Sequence, residues 1–216
     1  MSTSKSIKLD EPRLSMAEHS MTLPAEITDR TFFEFGIIEN CTIEQQEAHR
    51  VRFDQVIFRN VVFTDTALAG IELTDVRFEH CDLSNVDFND AVIHRTVFYN
   101  CKMIGIQLAG STLRNVRIEQ CLADYANFRY TNAKQMIIEH SQLKRADFGN
   151  ATLKNIELVQ LHMDQSYWSG TPLGGIDLSD WEFYSLEVNA EDLRGCTIAS
   201  EQAYIFAALL GLKLKD

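Results

Sequence analysis

The residue types that do chemistry are present in this 216-residue chain, but their spacing is unusual for an active site. Cys81, Cys101 and Cys121 are separated by intervals of twenty, and Cys41 and Cys196 also fall at numbers ending in 1 or 6. Thiolates at a fixed interval suggest a metal or a disulfide, yet no CxxC pair offers zinc spacing. If residues twenty apart lie on neighbouring turns about 4.8 Å apart, the separation suits a disulfide but the parallel Cβ vectors do not converge for one. Free, buried thiols acting as small hydrophobes are the expectation. His19, His49, His80, His94, His140 and His162 form no HxH or HExxH pattern, and "GTPLGG" at 170–175 lacks the Lys-Ser/Thr of a phosphate loop. Neither GxSxG nor GxGxxG occurs. No catalytic residue, cofactor site or metal site is therefore expected, and the chain reads as a non-enzyme.

The element that sets these intervals has a period of five. Every residue numbered with a final 3 or 8 from Phe33 to Ile198, 34 positions, is Phe, Ile, Leu, Met, Trp, Val or Ala. Two residues earlier stand small or β-branched side chains, such as Val51, Val56, Val61, Thr66, Ile71 and Val76. The other positions are mostly polar. If two residues of each five point inward and the rest turn a corner, four units close a square coil of twenty residues, and coils stack like parallel strands. Phe58, Phe78 and Phe98 then share one column, and Phe88, Leu108, Phe128, Phe148 and Trp168 another. These stripes are core packing. A convex rod filled by its own side chains offers no concave pocket in which carboxylates would acquire shifted pKa values.

"ADFGN" at 146–150, "ANFRY" at 126–130 and "VDFND" at 86–90 resemble the A-(D/N)-(L/F)-x-x unit of pentapeptide repeat proteins. The resemblance covers roughly residues 31–200. It implies an all-β solenoid, a right-handed quadrilateral parallel β-helix with a short C-terminal α-helical cap. Within the family the chain is similar to the Qnr-type and mycobacterial fluoroquinolone-resistance proteins. "CLADYANFRYTN" and "EQAYIFAALLGL" look most like the chromosomal versions from Gram-positive bacteria. The resemblance implies a homodimer, joined through its C-terminal helix, that binds DNA gyrase and topoisomerase IV as a DNA mimic and protects them from quinolones. No insertion interrupts the period after Phe53, whereas the plasmid-borne members carry two projecting loops. A scaffold for another protein partner is the alternative.

Three segments are expected: a non-repetitive N-terminal extension over 1–30, partly disordered or strapping; the coil over 31–199; and a capping and dimerisation helix with its tail over 200–216. Ser200 is placed to cap the helix and Gly211 to stop it. The run from Ala203 to Leu210 is apolar all round, so one side needs the last coil and the other a partner. Tyr204, Ile205, Ala208, Leu209 and Leu212 are the dimerisation candidates. The formal net charge of −11 and pI near 5.0 disfavour nucleic-acid and membrane ligands and favour a basic protein partner. With neither a signal-peptide core nor an apolar run of membrane length, the chain reads as cytoplasmic. Net charge is −3 over 31–50, −4 over 51–100, +3 over 101–150 and −6 over 151–200. A C-terminal dimer would therefore double an acidic zone at mid-rod. Asp164, Asp177, Asp180, Glu182 and Glu187 are the candidate phosphate mimics there, Glu191 being set aside because it falls on an inward position.

Overall fold

The computed structural model describes residues 7–14 and 19–213; the rest of the expected N-terminal extension and the last three residues of the tail lie outside the described residues. The chain runs through β1 (Phe32–Glu39), β2 (Thr42–Glu44), β3 (Arg52–Arg59), β4 (Val62–Thr64), β5 (Glu72–Glu79), β6 (Val92–Tyr99), β7 (Thr112–Glu119), β8 (Asn132–Glu139), β9 (Thr152–Val159), β10 (Ser166–Tyr167) and β11 (Leu186–Glu187) to a single α-helix, α1 (Ala203–Leu209). Seven strands pair in the order β1-β3-β5-β6-β7-β8-β9, all parallel and each shifted by twenty residues, as in Phe53↔Leu73 and Phe78↔Phe98. Isolated bridges continue the same register on the other walls, for example Asp82↔Lys102 and Asp87↔Gln107. The product is a parallel β-solenoid of about eight turns. No helix of the described residues is long and apolar enough to cross a membrane.

Corners make the square. Almost every residue numbered in fives has a positive φ, as at Gln55 (53°), Asn60 (51°), Asp65 (47°) and Gly70 (69°). One left-handed residue turns the extended chain, and Asn, Asp and Gly tolerate that conformation best. Between corners the backbone is extended, so residues two apart share a face. In the coil starting at Val51, Val51 and Phe53 fill the first wall, Val56 and Phe58 the second, Val61 and Phe63 the third, and Thr66 and Leu68 the fourth, all buried. The large side chains stack ring on ring: Phe58–Phe78 at 4.6 Å, Phe78–Phe98 at 4.9 Å, Phe128–Phe148 at 4.7 Å and Phe148–Trp168 at 4.2 Å.

The N-terminal extension does two jobs. Residues 19–31 form a partial turn over the first edge: Met21 N–H donates to Ile37 O and Ile37 N–H to His19 O, both 2.7 Å, while Arg52 N–H reaches Thr31 O at 2.9 Å. Gly36 stands where other coils carry larger side chains, from Val56 to Ile156, because a Cβ there would lie 2.9 Å from Cβ of Met21. This cap removes an open strand edge that would otherwise invite pairing. Residues 7–14 run along the outside of the rod. Arg13 N–H donates to Asp75 Oδ1 (2.9 Å), Asp10 N–H to Asn115 Oδ1 (3.1 Å) and Ile7 N–H to Glu157 Oε1, so three strap residues advance about two coils. Three residues of extended backbone rise about 9–10 Å and two coils span about 9.6 Å. Leu9 is buried under this arrangement, as are Val97 and Ile137, which occupy outward positions of the second wall in the coils the strap crosses.

At the other end the ladder slips at two corners and recovers between them, where Trp168 N–H pairs with Glu187 O. Met163 N–H pairs with Glu182 O, nineteen residues on, but Gln165 N–H pairs with Ser185 O and Gly175 N–H with Gly195 O, each twenty on. Between and beyond those corners the register of twenty is kept, at Ser166↔Leu186 and Asp177↔Thr197. Residues 189–194 turn instead of extending, with Asp192 N–H on Asn189 O and Arg194 N–H on Glu191 O, so Glu191, at an inward number, is exposed. Its neighbour Asp192 is buried instead and accepts from Gly170 N–H (2.9 Å) and Asn189 Nδ2 (2.9 Å). The oversized Trp181 is buried with its indole N–H on Leu158 O at 3.0 Å. The helix start also differs from the expectation. Ala199, not Ser200, holds the N-cap position of a 3₁₀ turn, Ser200–Gln202, that leads into α1. Gln202 replaces the serine cap: its Oε1 accepts from Ala199 N–H at 2.9 Å, and its Nε2 donates to Leu178 O and Trp181 O of the last coil. Gly211, at φ 72°, ends α1 as expected, with Leu212 N–H on Ala207 O and Gly211 N–H on Ala208 O.

Two outcomes follow from this packing. Phe98→Ala removes the third ring of a stack and is expected to lower stability by about 3–5 kcal/mol in urea unfolding, with the secondary structure of the remaining folded fraction unchanged. The strap supplies a pH effect. Burial raises the Asp75 pKa, but hydrogen bonds from Arg95 (2.6 and 2.7 Å) and from Arg13 N–H outweigh it and hold the carboxyl below its ordinary value. The stabilisation is complete above the unfolded-state value of about 3.9 and is lost as pH falls through the lower folded value. Thermal melts from pH 6 to pH 2 should show a falling melting temperature, and Asp75→Asn should flatten that dependence while lowering stability at pH 6.

Candidate functional site

The five candidate carboxylates do not share one face. Asp177 lies on the second wall, Asp180 at the end of that wall, Glu182 and Asp164 on the third wall, and Glu187 on the fourth. Asp177, Asp180 and Glu182 therefore form an arc around one edge of the rod, and all three are exposed. Asp180 and Glu182 line a shallow groove with His140, Gln142, Gln160 and His162, in which His162 Nδ1 is 2.8 Å from Glu182 Oε2. Asp180 Oδ2 also accepts from Gln160 N–H at 2.9 Å. Asp164 is half-buried and spent locally: its Oδ1 accepts from Tyr184 N–H (2.8 Å) and Ser185 N–H (3.1 Å), holding the slipped coil in place. Glu187 is exposed but on the far side, within β11. The arc of three is what the fold assembles; Asp164 and Glu187 stand apart from it.

Beside this end of the rod lies an apolar surface. Ile205 and Phe206 pack on the core, Phe206 meeting Phe183 with ring centroids 6.0 Å apart. Tyr204, Leu209, Leu210 and Leu212 remain exposed, and Tyr184 is 85 % exposed. Ala208 and Leu209 join Tyr184, Leu186, Val188 and Tyr204 around a shallow apolar hollow. Of the dimerisation candidates, Tyr204, Ala208 and Leu209 thus line one patch, Ile205 divides its contacts between the patch and the core, and Leu212 sits beyond the end of the helix. Tyr184 was not singled out from sequence, although its outward number was a usable signal.

Residues 71–148 match the family described as the pentapeptide repeat region. A protein of Bacillus subtilis (strain 168), YisX, is 36% identical over 90 residues, a match that spans 42% of this chain and 42% of that relative. Among solved structures, HetL of Nostoc sp. strain PCC 7120, a pentapeptide repeat protein involved in regulation of heterocyst differentiation, superposes with a TM-score of 0.51. It is 15% identical, with 80% of this chain and 91% of HetL covered, which is a likeness of fold alone. QnrB1, a plasmid-mediated fluoroquinolone resistance protein, gives a TM-score of 0.45 at 16% identity, covering 88% of this chain and all of that one.

The coil explains the cysteines. Cys81, Cys101 and Cys121 are buried free thiols in adjacent turns of one column. Their sulfurs lie against backbone carbonyls, Cys81 Sγ 3.4 Å from Phe58 O and Cys121 Sγ 3.3 Å from Glu119 O. The flanking thiols of Cys121 and Cys81, together with burial, push the Cys101 thiol far up. Cys41 departs from expectation: it heads the same column, where the N-terminal cap leaves it uncovered, and it is exposed. Cys196, at the slipped end, is half-buried. Among the described residues no cluster of three or more His, Cys, Asp or Glu has metal-holding geometry. Native thiol titration should therefore label Cys41 at once and Cys196 slowly, with the other three reacting only in denaturant; fast reaction of all five would contradict the column.

Proposed function

We propose that this chain acts without catalysis, as a dimeric interaction rod that presents carboxylates to a basic protein surface. The single observation that carries the reading is the juxtaposition at one end of the coil of an exposed apolar patch (Tyr184, Tyr204, Leu209) with the acidic arc Asp177, Asp180 and Glu182. Apolar surface of that kind is commonly covered by a partner, and a second copy about a two-fold axis is the simplest one. Such a dimer doubles the acidic arc near the middle of a rod whose single subunit is about 40 Å long. Over the coil, 24 carboxylates against 14 basic residues leave a net −10, about one charge per 4 Å, so the likeness to duplex DNA lies in width and local patches more than in total charge. Together with the sequence resemblance to quinolone-resistance members of the family, this points to the DNA-binding saddle of a type II topoisomerase, DNA gyrase or topoisomerase IV, as the basic surface.

A second reading has equal footing in the fold. A pentapeptide-repeat rod is a regular surface for any protein partner, and the neutral groups that line much of the fourth wall, among them Ala67, Ala69, Gln107, Ala109 and Asn127, suit a scaffold that does not mimic DNA. Gyrase supercoiling in the presence of ciprofloxacin separates the two: purified protein restores supercoiling under the first reading and has no effect at micromolar concentration under the second.

Ile205→Asp or Leu209→Asp places an unpaired charge in the helix contact, at a cost of several kcal/mol, and is expected to give monomers by light scattering where the wild type is dimeric. Asp177→Lys, Asp180→Lys and Glu182→Lys combined should weaken gyrase binding at least about tenfold without unfolding the rod, and binding should weaken further as salt rises. The same reversal at Glu34, Glu39 and Glu44, at the far end, should matter less; equal losses would indicate general charge steering.

A further inference from the structure

Neighbouring coils place each side chain directly above its counterpart twenty residues on, and several cations on this rod exploit that by standing next to an acid. Arg52 meets Glu72 at 2.9 Å, Arg95 meets Asp75 at 2.6 Å, and Lys102 meets Asp82 at 3.1 Å. Arg59 lies between Glu39 at 3.5 Å and Glu79 at 2.9 Å. One column breaks the pattern. On the first wall the register pairs His94↔Arg114, Arg114↔Lys134 and Lys134↔Lys154, so three permanent cations occupy successive coils about 4.8 Å apart. None of the three forms an ion pair with a carboxylate among the described residues. Arg114 is fixed by neutral groups, its Nη1 on Leu113 O and Asn132 O at 2.7 Å and its Nη2 on Asn132 Oδ1 at 3.1 Å. Lys134 and Lys154 are exposed. The flanking column carries Thr112, Asn132 and Thr152, hydrogen-bonding and uncharged.

Like charges in register repel, so this column works against the fold unless something anionic lies on it. Farther along, the same column carries Asp54 and Glu34, so the wall is acidic toward its N-terminal end and basic toward its C-terminal end. The rod also shows how a chain segment can lie along it. The strap of residues 7–14 crosses the adjoining wall along the rod axis, three residues for every two coils, with its acidic Glu11 facing Arg117 at 3.6 Å. A chain in that extended form with a carboxylate at every third residue would repeat every 9–10 Å, the distance from Arg114 to Lys154 across two coils. Lys134 would then stand between the two carboxylates.

We propose that the Arg114–Lys134–Lys154 column is a docking site for an extended acidic segment of a partner protein, lying along the rod axis. A long nucleic acid is disfavoured because its many phosphates would meet the rod's net negative charge, whereas a short acidic segment senses chiefly the charges within about 8 Å. The proposal does not rest on the topoisomerase reading; the residues are on a different wall from the acidic arc and their loss leaves that arc intact.

The test uses the full chain and a fluorescein-labelled heptapeptide with glutamate at every third position, read by fluorescence anisotropy. Binding to the wild type is expected to fall at least about tenfold in Lys134→Gln/Lys154→Gln and to weaken with salt, and the same peptide with glutamine for glutamate should not bind. Equal binding by the double variant or by the glutamine peptide would overturn the proposal, as would no binding by the wild type at millimolar peptide. Tighter binding of a thymidine oligonucleotide of equal charge would overturn the assignment to a protein segment in favour of a phosphate polymer. The double variant is expected to melt no lower than the wild type, since it removes like-charge neighbours; a lower melting temperature would mark the column as structural support and overturn its role as a docking site.

Discussion

A left-handed residue at nearly every fifth position is the constraint on which the rest of this molecule depends. The corner at Gln55, Asn60 or Asp65 costs little where Asn, Asp or Gly stands and more where Gln or Arg does, yet the coil repeats it because each turn closes four extended segments onto the turn before. Once the corner is periodic, the register of twenty follows, and with it the inward columns, the ring stacks and the placing of every outward side chain relative to the next. A local backbone choice thus sets long-range chemistry. Whether a surface charge is paired, repelled or left open to a ligand is decided as much by residues about twenty positions away, as for Arg52 and Glu72, as by its sequence neighbours, as for Arg77 and Glu79.

That dependence explains how much could be read from the sequence. Inward positions were legible because large and small side chains alternate with the period of the corners, and Phe58, Phe78 and Phe98 stack as the interval of twenty requires. The ends were less legible because they are where the period stops acting. Cys41 obeys the inward numbering but has no full turn before it, so numbering and burial part company. Glu191 and Asp192 exchange places because residues 189–194 turn where the other coils extend, a change to which the sequence points only through the misplaced Glu191 and the oversized Trp181. The helix start moved for a related reason: Gln202 can reach Leu178 O and Trp181 O as well as Ala199 N–H, and this triple bond pattern depends on where the last coil ends.

The candidate site divides along the same line. Outward status was readable for all five carboxylates, but their wall was not weighed. Glu187 falls on the opposite side from Asp177, and Asp164 has its oxygen occupied by the backbone of the slipped turn. The cationic column was equally available as Arg114, Lys134 and Lys154 at intervals of twenty, but segment totals of charge conceal it. A sum over 101–150 mixes Lys144, which stands between Asp124 and Asp164 in its own column, with Arg114 and Lys134, which have no acid above or below, and leaves Lys154 out.

Stacked-repeat proteins ordinarily behave as one-dimensional chains, each unit coupled only to its neighbours, so that either end can fray independently of the rest. The segment of residues 7–14 changes that connectivity. By joining Asp75, Asn115 and Glu157 through a single stretch of backbone, it ties turns that share no direct contact to one another and to the cap at the first edge. Fraying of the distal turns then has to release part of an element anchored near the beginning of the coil, and the array acquires a non-local coupling that stacking alone does not provide. In polymer terms the rod is closed by a tie running along its length, which shifts its unfolding from progressive peeling toward a single cooperative event.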